Sequence, residues 1–184
     1  MGDLASASLF LRLIVFLSCI AAATLALAQS TDIVKRIPLP NSDFPISGAV
    51  VVPPGYETIY VSGTIPQPAN PSATNPADRY GDTKTQTVSV MKQIEATLEK
   101  QQLSMSDVVM MHVYLVGDSS KGGQMDFAGM MAGYKQFFGT PEQPNKPARS
   151  AVQVAALAVS GVMVEIEVIA VRKRGVHAEP AGLK

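Results

Sequence analysis

The chain has 184 residues, with 15 Lys+Arg against 15 Asp+Glu, 47% hydrophobic residues and a single cysteine. Balanced charge with no basic stripe interleaved with aromatics argues against nucleic acid as the main partner. One cysteine excludes an internal disulfide framework and any thiolate metal cluster.

The first element is a processing signal. Leu13 to Leu27 is an apolar run too short for a comfortable membrane span, and it closes on Ala26-Leu27-Ala28, an A-x-A site that would leave Gln29 as the new N-terminus. Residues 1–28 are therefore expected to be a signal peptide, and the remainder an exported, periplasmic or secreted protein without a membrane anchor. Lipidation at Cys19 is the alternative. If cleavage follows Ala28, Cys19 leaves with the signal and the mature domain, residues 29–173, is one hydrophobic core's worth of chain.

Thr31 to Pro40 and Ile46 to Val52 are expected to be short strands separated by the turn-rich Asn41-Ser42-Asp43, and Pro53-Pro54-Gly55 turns the chain into a third strand around Thr58 to Val61. The proline-rich stretch Ile65 to Tyr80 predicts a long loop. Asp82 or Thr83 can cap the next segment, where Val88, Met91, Ile94 and Leu98 recur at helical spacing and predict a helix over Thr83 to Gln102. Val108 to Val116 is β-branched and aromatic, hence a strand. A second helix is expected over Met125 to Phe138, then a proline-broken connection from Gly139 to Pro147. Arg149 to Ala155 and Val162 to Val171 complete the strands, and residues 174–184 form a tail without apolar pattern.

The order is βββαβαββ, an α+β domain in which two helices cover one face of a sheet, so that the other face is polar or meets a partner. Alternation along the fifth strand predicts Ser150, Val152 and Val154 toward the helices and Arg149, Ala151, Gln153 and Ala155 on the opposite face. In the last strand Val162, Val164, Ile166 and Val168 form the apolar set, leaving Met163, Glu165, Glu167 and Ile169 opposite. If those strands are neighbours, Arg149, Gln153, Glu165 and Glu167 share one mixed face, which fits an oligomer with a polar cleft. The plainer alternative is a partly exposed Arg149–Glu165 ion pair contributing about 0–1 kcal/mol.

The stretches Pro147-Ala148-Arg149-Ser150-Ala151-Val152-Gln153-Val154-Ala155 and Val164-Glu165-Ile166-Glu167-Val168-Ile169-Ala170-Val171 resemble the C-terminal signature of the YjgF/RidA family. Val61-Ser62-Gly63-Thr64-Ile65-Pro66 resembles its "SGQIP" turn, and Asp126-Phe127-Ala128 with Tyr134-Lys135-Gln136-Phe137-Phe138 resembles its second helix. The resemblance runs from about Ile46 to Lys173. It implies a chorismate-mutase-like fold, a homotrimer with clefts between subunits, and cofactor-independent hydrolysis of enamines or imines to 2-oxo acids and ammonia.

By position, the resemblance implies that Arg149 clamps a substrate carboxylate, assisted by the Ala151 backbone N–H. It makes Glu165 the residue that positions or deprotonates the attacking water. Ser62 and Gly63 would line the pocket, and Phe127 would be its apolar wall. Three positions depart from the deaminase pattern: Ile46 where the family has a tyrosine, Ala151 where it has a cysteine, and Met131 where it has an asparagine near the cleft. The loops at Gly117 to Gln124 and Gly139 to Pro147 are longer than in the deaminase branch. A non-catalytic carboxylate-binding protein would keep Arg149 without needing Glu165, and a stress-related holdase would need neither. His112, in the fourth strand, is expected to be a satisfied core or interface histidine, and His177 to lie in the tail. Two distant histidines imply no metal site. The nine methionines are expected to pack core and interfaces.

Overall fold

The computed structural model describes residues 33–175. The expected signal peptide, Cys19, Gln29 and His177 therefore lie outside the described residues. Residues 34–175 belong to one compact unit.

Strands β1 (Lys35–Pro38), β2 (Ser47–Val51) and β3 (Tyr56–Thr64) open the unit. A single-turn helix α1 (Pro76–Tyr80) and the long helix α2 (Thr83–Lys100) follow, then β4 (Val108–Asp118) and a two-residue strand β5 (Gln124–Met125). Helix α3 (Phe127–Tyr134), β6 (Ala148–Val154) and β7 (Val164–Lys173) complete it. The sheet runs β1-β2-β6-β4-β7-β3, with β5 paired to the end of β4. The pairs β2–β6 and β6–β4 are parallel, and β1–β2, β4–β7 and β7–β3 are antiparallel.

Helix α2 begins where an acceptor was expected: the Asp82 carboxylate accepts from the Thr85 backbone N–H at 2.7 Å. Its buried face is Thr83, Gln86, Thr87, Val90, Met91, Ile94 and Leu98, so Val90 rather than the half-buried Val88 fills the core. Buried Gln86 is fully used, its amide donating to Gly81 O at 3.0 Å and Gly161 O at 3.1 Å while accepting from Met163 N at 2.7 Å. Helix α3 lies close on α2 because Gly133 has no Cβ, which would stand 2.8 Å from the Thr87 side chain. That helix is shorter than the expected Met125 to Phe138. Met125 pairs in β5, and after Tyr134 the chain turns toward Gly139, whose φ is +73°. The loop expected from Ile65 to Tyr80 ends in α1, since proline is tolerated at a first helical position.

Met111, Val113 and Leu115 of β4 and Val164, Ile166, Val168 and Ala170 of β7 are buried against the helices. The opposite sheet face is open. It carries Tyr60 and Val152, 76% and 46% exposed, together with His112, Tyr114, Glu165 and Glu167. At the far edge, Arg36 ties β1 to the body by donating to Ser106 O at 2.8 Å, Val108 O at 2.9 Å and Lys146 O at 2.8 Å.

Candidate functional site

Arg149 enters the site from β6, and its direction reverses the sequence expectation. Its register partner is Met111, with Val113 opposite Ala151 and Leu115 opposite Gln153. All three β4 partners are buried against the helices, so Arg149, Ala151 and Gln153 point to the helix side and Val152 to the open side. Apolarity misled here because α3 covers β6 with aromatic rings rather than aliphatic side chains. A guanidinium fits beneath rings, whereas valine gains nothing specific there.

The guanidinium carbon lies 4.3 Å from the centre of the Tyr134 ring, 5.6 Å from Phe44 and 5.9 Å from Phe127. Phe44 and Phe127 are nearly parallel, with centres 6.4 Å apart, and Tyr134 is fixed by donating its hydroxyl to Pro45 O at 2.8 Å. Arg149 Nη1 is buried with no hydrogen-bond partner among the described residues. Burial lowers the Arg149 pKa from its ordinary value, with Tyr134 acting the other way. Burial likewise pushes Tyr134 up, against the pull of Arg149 and Arg36. A buried cationic donor without an acceptor is costly to the fold, and an anion presented to it would recover that cost.

Two departures now have places. Ile46 packs against the core, and the aromatic that this segment offers Arg149 is Phe44, two residues earlier. Met131 is buried in the core. Ala151 lies on an open edge: β2 pairs with β6 only at Ser47 and Ala148, and among the described residues no strand covers that edge beyond Ala148. Gln153 is occupied elsewhere, accepting from Met125 N at 2.8 Å and donating to Gly123 O at 2.9 Å, which braces the loop before α3.

Glu165 stands apart from this group. β6 and β7 are not neighbours; β4 runs between them, and the Glu165 register partner is Tyr114 on the open face. The expectation that Arg149 and Glu165 share a sheet face, and the alternative of an ion pair between them, both fail for that reason within one chain. Glu165 belongs with Ser62 and Gly63, which form a bulge in β3 where the register against β7 shifts between Val61 and Thr64. A Cβ at Gly63 would run into the Glu165 carboxylate. The expected residues thus fall into two groups: Arg149, Ala151 and Phe127 on the helix side, and Glu165, Ser62 and Gly63 on the open side.

The open side also holds an arrangement that the sequence did not suggest. His112 Nδ1 is 2.9 Å from Glu167 Oε1, and the Tyr114 hydroxyl donates to the same oxygen at 3.1 Å. His112 is 35% exposed, so it is satisfied but not a core residue. The alternation of β4, with Met111, Val113 and Leu115 inward, was the available signal. Tyr114 is raised from its ordinary pKa by its bond to Glu167 first, then by burial and by the charges of Glu167 and Glu165. Among the described residues no cluster of three or more His, Cys, Asp or Glu side chains could hold a metal ion, and no helix is long and apolar enough to cross a membrane.

With this geometry in hand, a model of the family described as Endoribonuclease L-PSP matches residues 47–172. The chain belongs to that family, also called YjgF/RidA. Among its relatives, a RutC family protein of Haemophilus influenzae is 38% identical over 115 residues, covering 62% of this chain and 79% of that protein. A RutC family protein of Pyrococcus horikoshii is 40% identical over 93 residues, or 50% of this chain and 65% of the relative. The Rid-family protein YyfB of Yersinia pestis has a similar fold, with a TM-score of 0.57 at 24% identity over 74% of this chain and 97% of that one. The YjgF-like mixed sheet with few helices is thus the family's fold.

Proposed function

We propose that this protein is a cofactor-independent imine or enamine deaminase, hydrolysing 2-imino acids to 2-oxo acids and ammonia in a cleft between copies of the chain. The observation that carries this reading is the Arg149 guanidinium, held under three aromatic rings with a buried donor left unpartnered. A carboxylate seated there accepts charge-assisted hydrogen bonds in a fixed fork geometry. The open β6 edge at Ala151 lets a backbone N–H contribute, and Phe127 forms the apolar wall.

Glu165 then acts as the base toward water. Because it lies across the sheet from Arg149 in the same chain, the Glu165, Ser62 and Gly63 group that meets a given Arg149 comes from another copy. The exposed Tyr60 and Val152 suit contact with that copy, and we assign the assembly as a homotrimer. We further propose that the protein is exported, with residues 1–28 removed, and that its ligand is a small carboxylate rather than nucleic acid.

The test is ammonia release from imines generated in situ by an amino-acid oxidase, set beside pyruvate binding measured by calorimetry. In the deaminase, Arg149→Ala loses both turnover and binding, whereas Glu165→Ala loses turnover alone. A wild type that binds pyruvate without accelerating ammonia release makes the protein a carboxylate binder. A protein indifferent to both substitutions has neither role.

A further inference from the structure

The reaction above needs a proton delivered to nitrogen as well as one removed from water, and Arg149 and Glu165 supply only the second. We infer that His112 is a catalytic proton-transfer residue of this site, oriented by Glu167 and Tyr114. The inference rests on the deaminase reading and adds a residue to it.

The geometry comes from two neighbouring strands. On β4, His112 and Tyr114 are two residues apart and share the open face. On β7 their register partners are Glu167 and Glu165 respectively. Glu167 is engaged twice, by His112 Nδ1 at 2.9 Å and by the Tyr114 hydroxyl at 3.1 Å. A carboxylate held on Nδ1 fixes the proton there and leaves Nε2 as the exchanging nitrogen, the orientation that a carboxylate partner imposes in acid–base histidines generally. His112 is 35% exposed, and its Nε2 takes no hydrogen bond among the described residues. Glu165, which makes no hydrogen bond to another described side chain, sits on the diagonal from His112, where side chains on one sheet face are about 7–8 Å apart. The groups facing His112 are Glu167 and Glu165 on β7, Tyr114 on its own strand and the uncharged Ser150 on β6.

The step balances as follows. Water adds to the C=N carbon, Glu165 takes one of its protons, and the imidazolium Nε2–H protonates the imine nitrogen, giving a carbinolamine. Proton return from Glu165 makes the amine a leaving group. As the C–N bond breaks, neutral His112 takes the carbinol proton and the C=O bond forms. Ammonia and the 2-oxo acid leave, and both side chains are back in their starting states.

The experiment uses the full assembled protein and imines of alanine generated in situ. His112→Gln should lower kcat about 100-fold or more, with KM and pyruvate affinity changed less than threefold. The kcat–pH profile should lose one limb, and added imidazole should restore turnover to His112→Ala. Tyr114→Phe, which removes one hydroxyl, and Glu167→Gln should each lower kcat less and shift that limb. If the His112 variants do not assemble, these two decide. Active variants with unchanged pH profiles, or a kcat loss matched by loss of pyruvate binding, overturn the role of His112 while leaving the deaminase reading standing. A wild type without turnover overturns both.

Discussion

Replacing Arg149 by methionine tests whether this half-buried arginine serves a ligand or the fold, and Arg36, also half-buried, is the structural control. Arg36 donates to three backbone carbonyls, whereas Arg149 has a buried Nη1 with no acceptor among the described residues. In Arg149→Met, removal of an unsatisfied buried donor recovers about 1–3 kcal/mol. The lost cation–π contacts with Tyr134, Phe44 and Phe127 cost about 0.5–2 kcal/mol. The two effects nearly cancel, and the variant should unfold in urea within about 1 kcal/mol of wild type. Arg36→Met strands the carbonyls of Ser106, Val108 and Lys146 and should cost about 3–5 kcal/mol. Ligand binding should respond in the opposite sense. Pyruvate affinity should fall at least about 100-fold in Arg149→Met, the equivalent of two charge-assisted hydrogen bonds, and should hold in Arg36→Met. Urea titration and calorimetry on both variants read this out. An Arg149→Met protein destabilised by more than about 3 kcal/mol with pyruvate affinity intact would show that the guanidinium serves the fold, and the carboxylate seat would be withdrawn.

Further predictions address the other parts of the structure. Gly63→Ala pushes a Cβ into the Glu165 carboxylate, so turnover should fall while pyruvate binding stays, measured by ammonia release and calorimetry. Gln86→Leu strands Gly81 O, Gly161 O and Met163 N and should cost about 2–4 kcal/mol in urea unfolding, with no effect on ligand affinity per folded protein. The Asp82 carboxyl is held below its ordinary pKa, first by its side-chain and then by its backbone hydrogen bond with Thr85. A carboxyl lowered in the folded state contributes stability that is complete above its unfolded value of about 4 and is lost as pH falls through the folded value. Asp82→Asn should therefore flatten that part of the acid limb of stability while keeping the cap, and unchanged acid sensitivity would contradict it. N-terminal sequencing of the protein recovered from an exporting host should begin at Gln29; an intact Met1 in the recovered protein would remove the export proposal.

Strand alternation and helical spacing carried the fold far. Six of the strands, the two longer helices and the inward set of β7 follow from periodicity, because those elements bury aliphatic side chains on one face, and the Asp82 cap follows from residue type. The same logic failed at β6. There the helix-facing positions are Arg149, Ala151 and Gln153, and the valine at 152 is on the open face. Hydrophobic patterning predicts orientation when one face meets solvent, and it loses its sign where a cation lies beneath aromatic rings. Strand order was illegible for a different reason. Nothing local announces that β4 passes between β6 and β7, and Arg149 and Glu165 lie on opposite sides of the sheet because Arg149 shares the inward face of Met111 whereas Glu165 shares the outward face of Tyr114. The aromatic box was half visible, since Phe127 was expected as a wall, but Phe44 and Tyr134 reach Arg149 only through tertiary packing.

The central claim is that Arg149 of one copy and Glu165 of another act on the same ligand, and mixing two inactive variants tests it most directly. Arg149→Ala and Glu165→Ala proteins, dissociated and reassembled together at equal amounts, should regain ammonia release. Random mixing gives about a quarter of the interfaces an intact Arg149 facing an intact Glu165, so activity should approach that share of wild type. A mixture that assembles fully and stays as inactive as its components would place both residues' work within single chains and contradict the account.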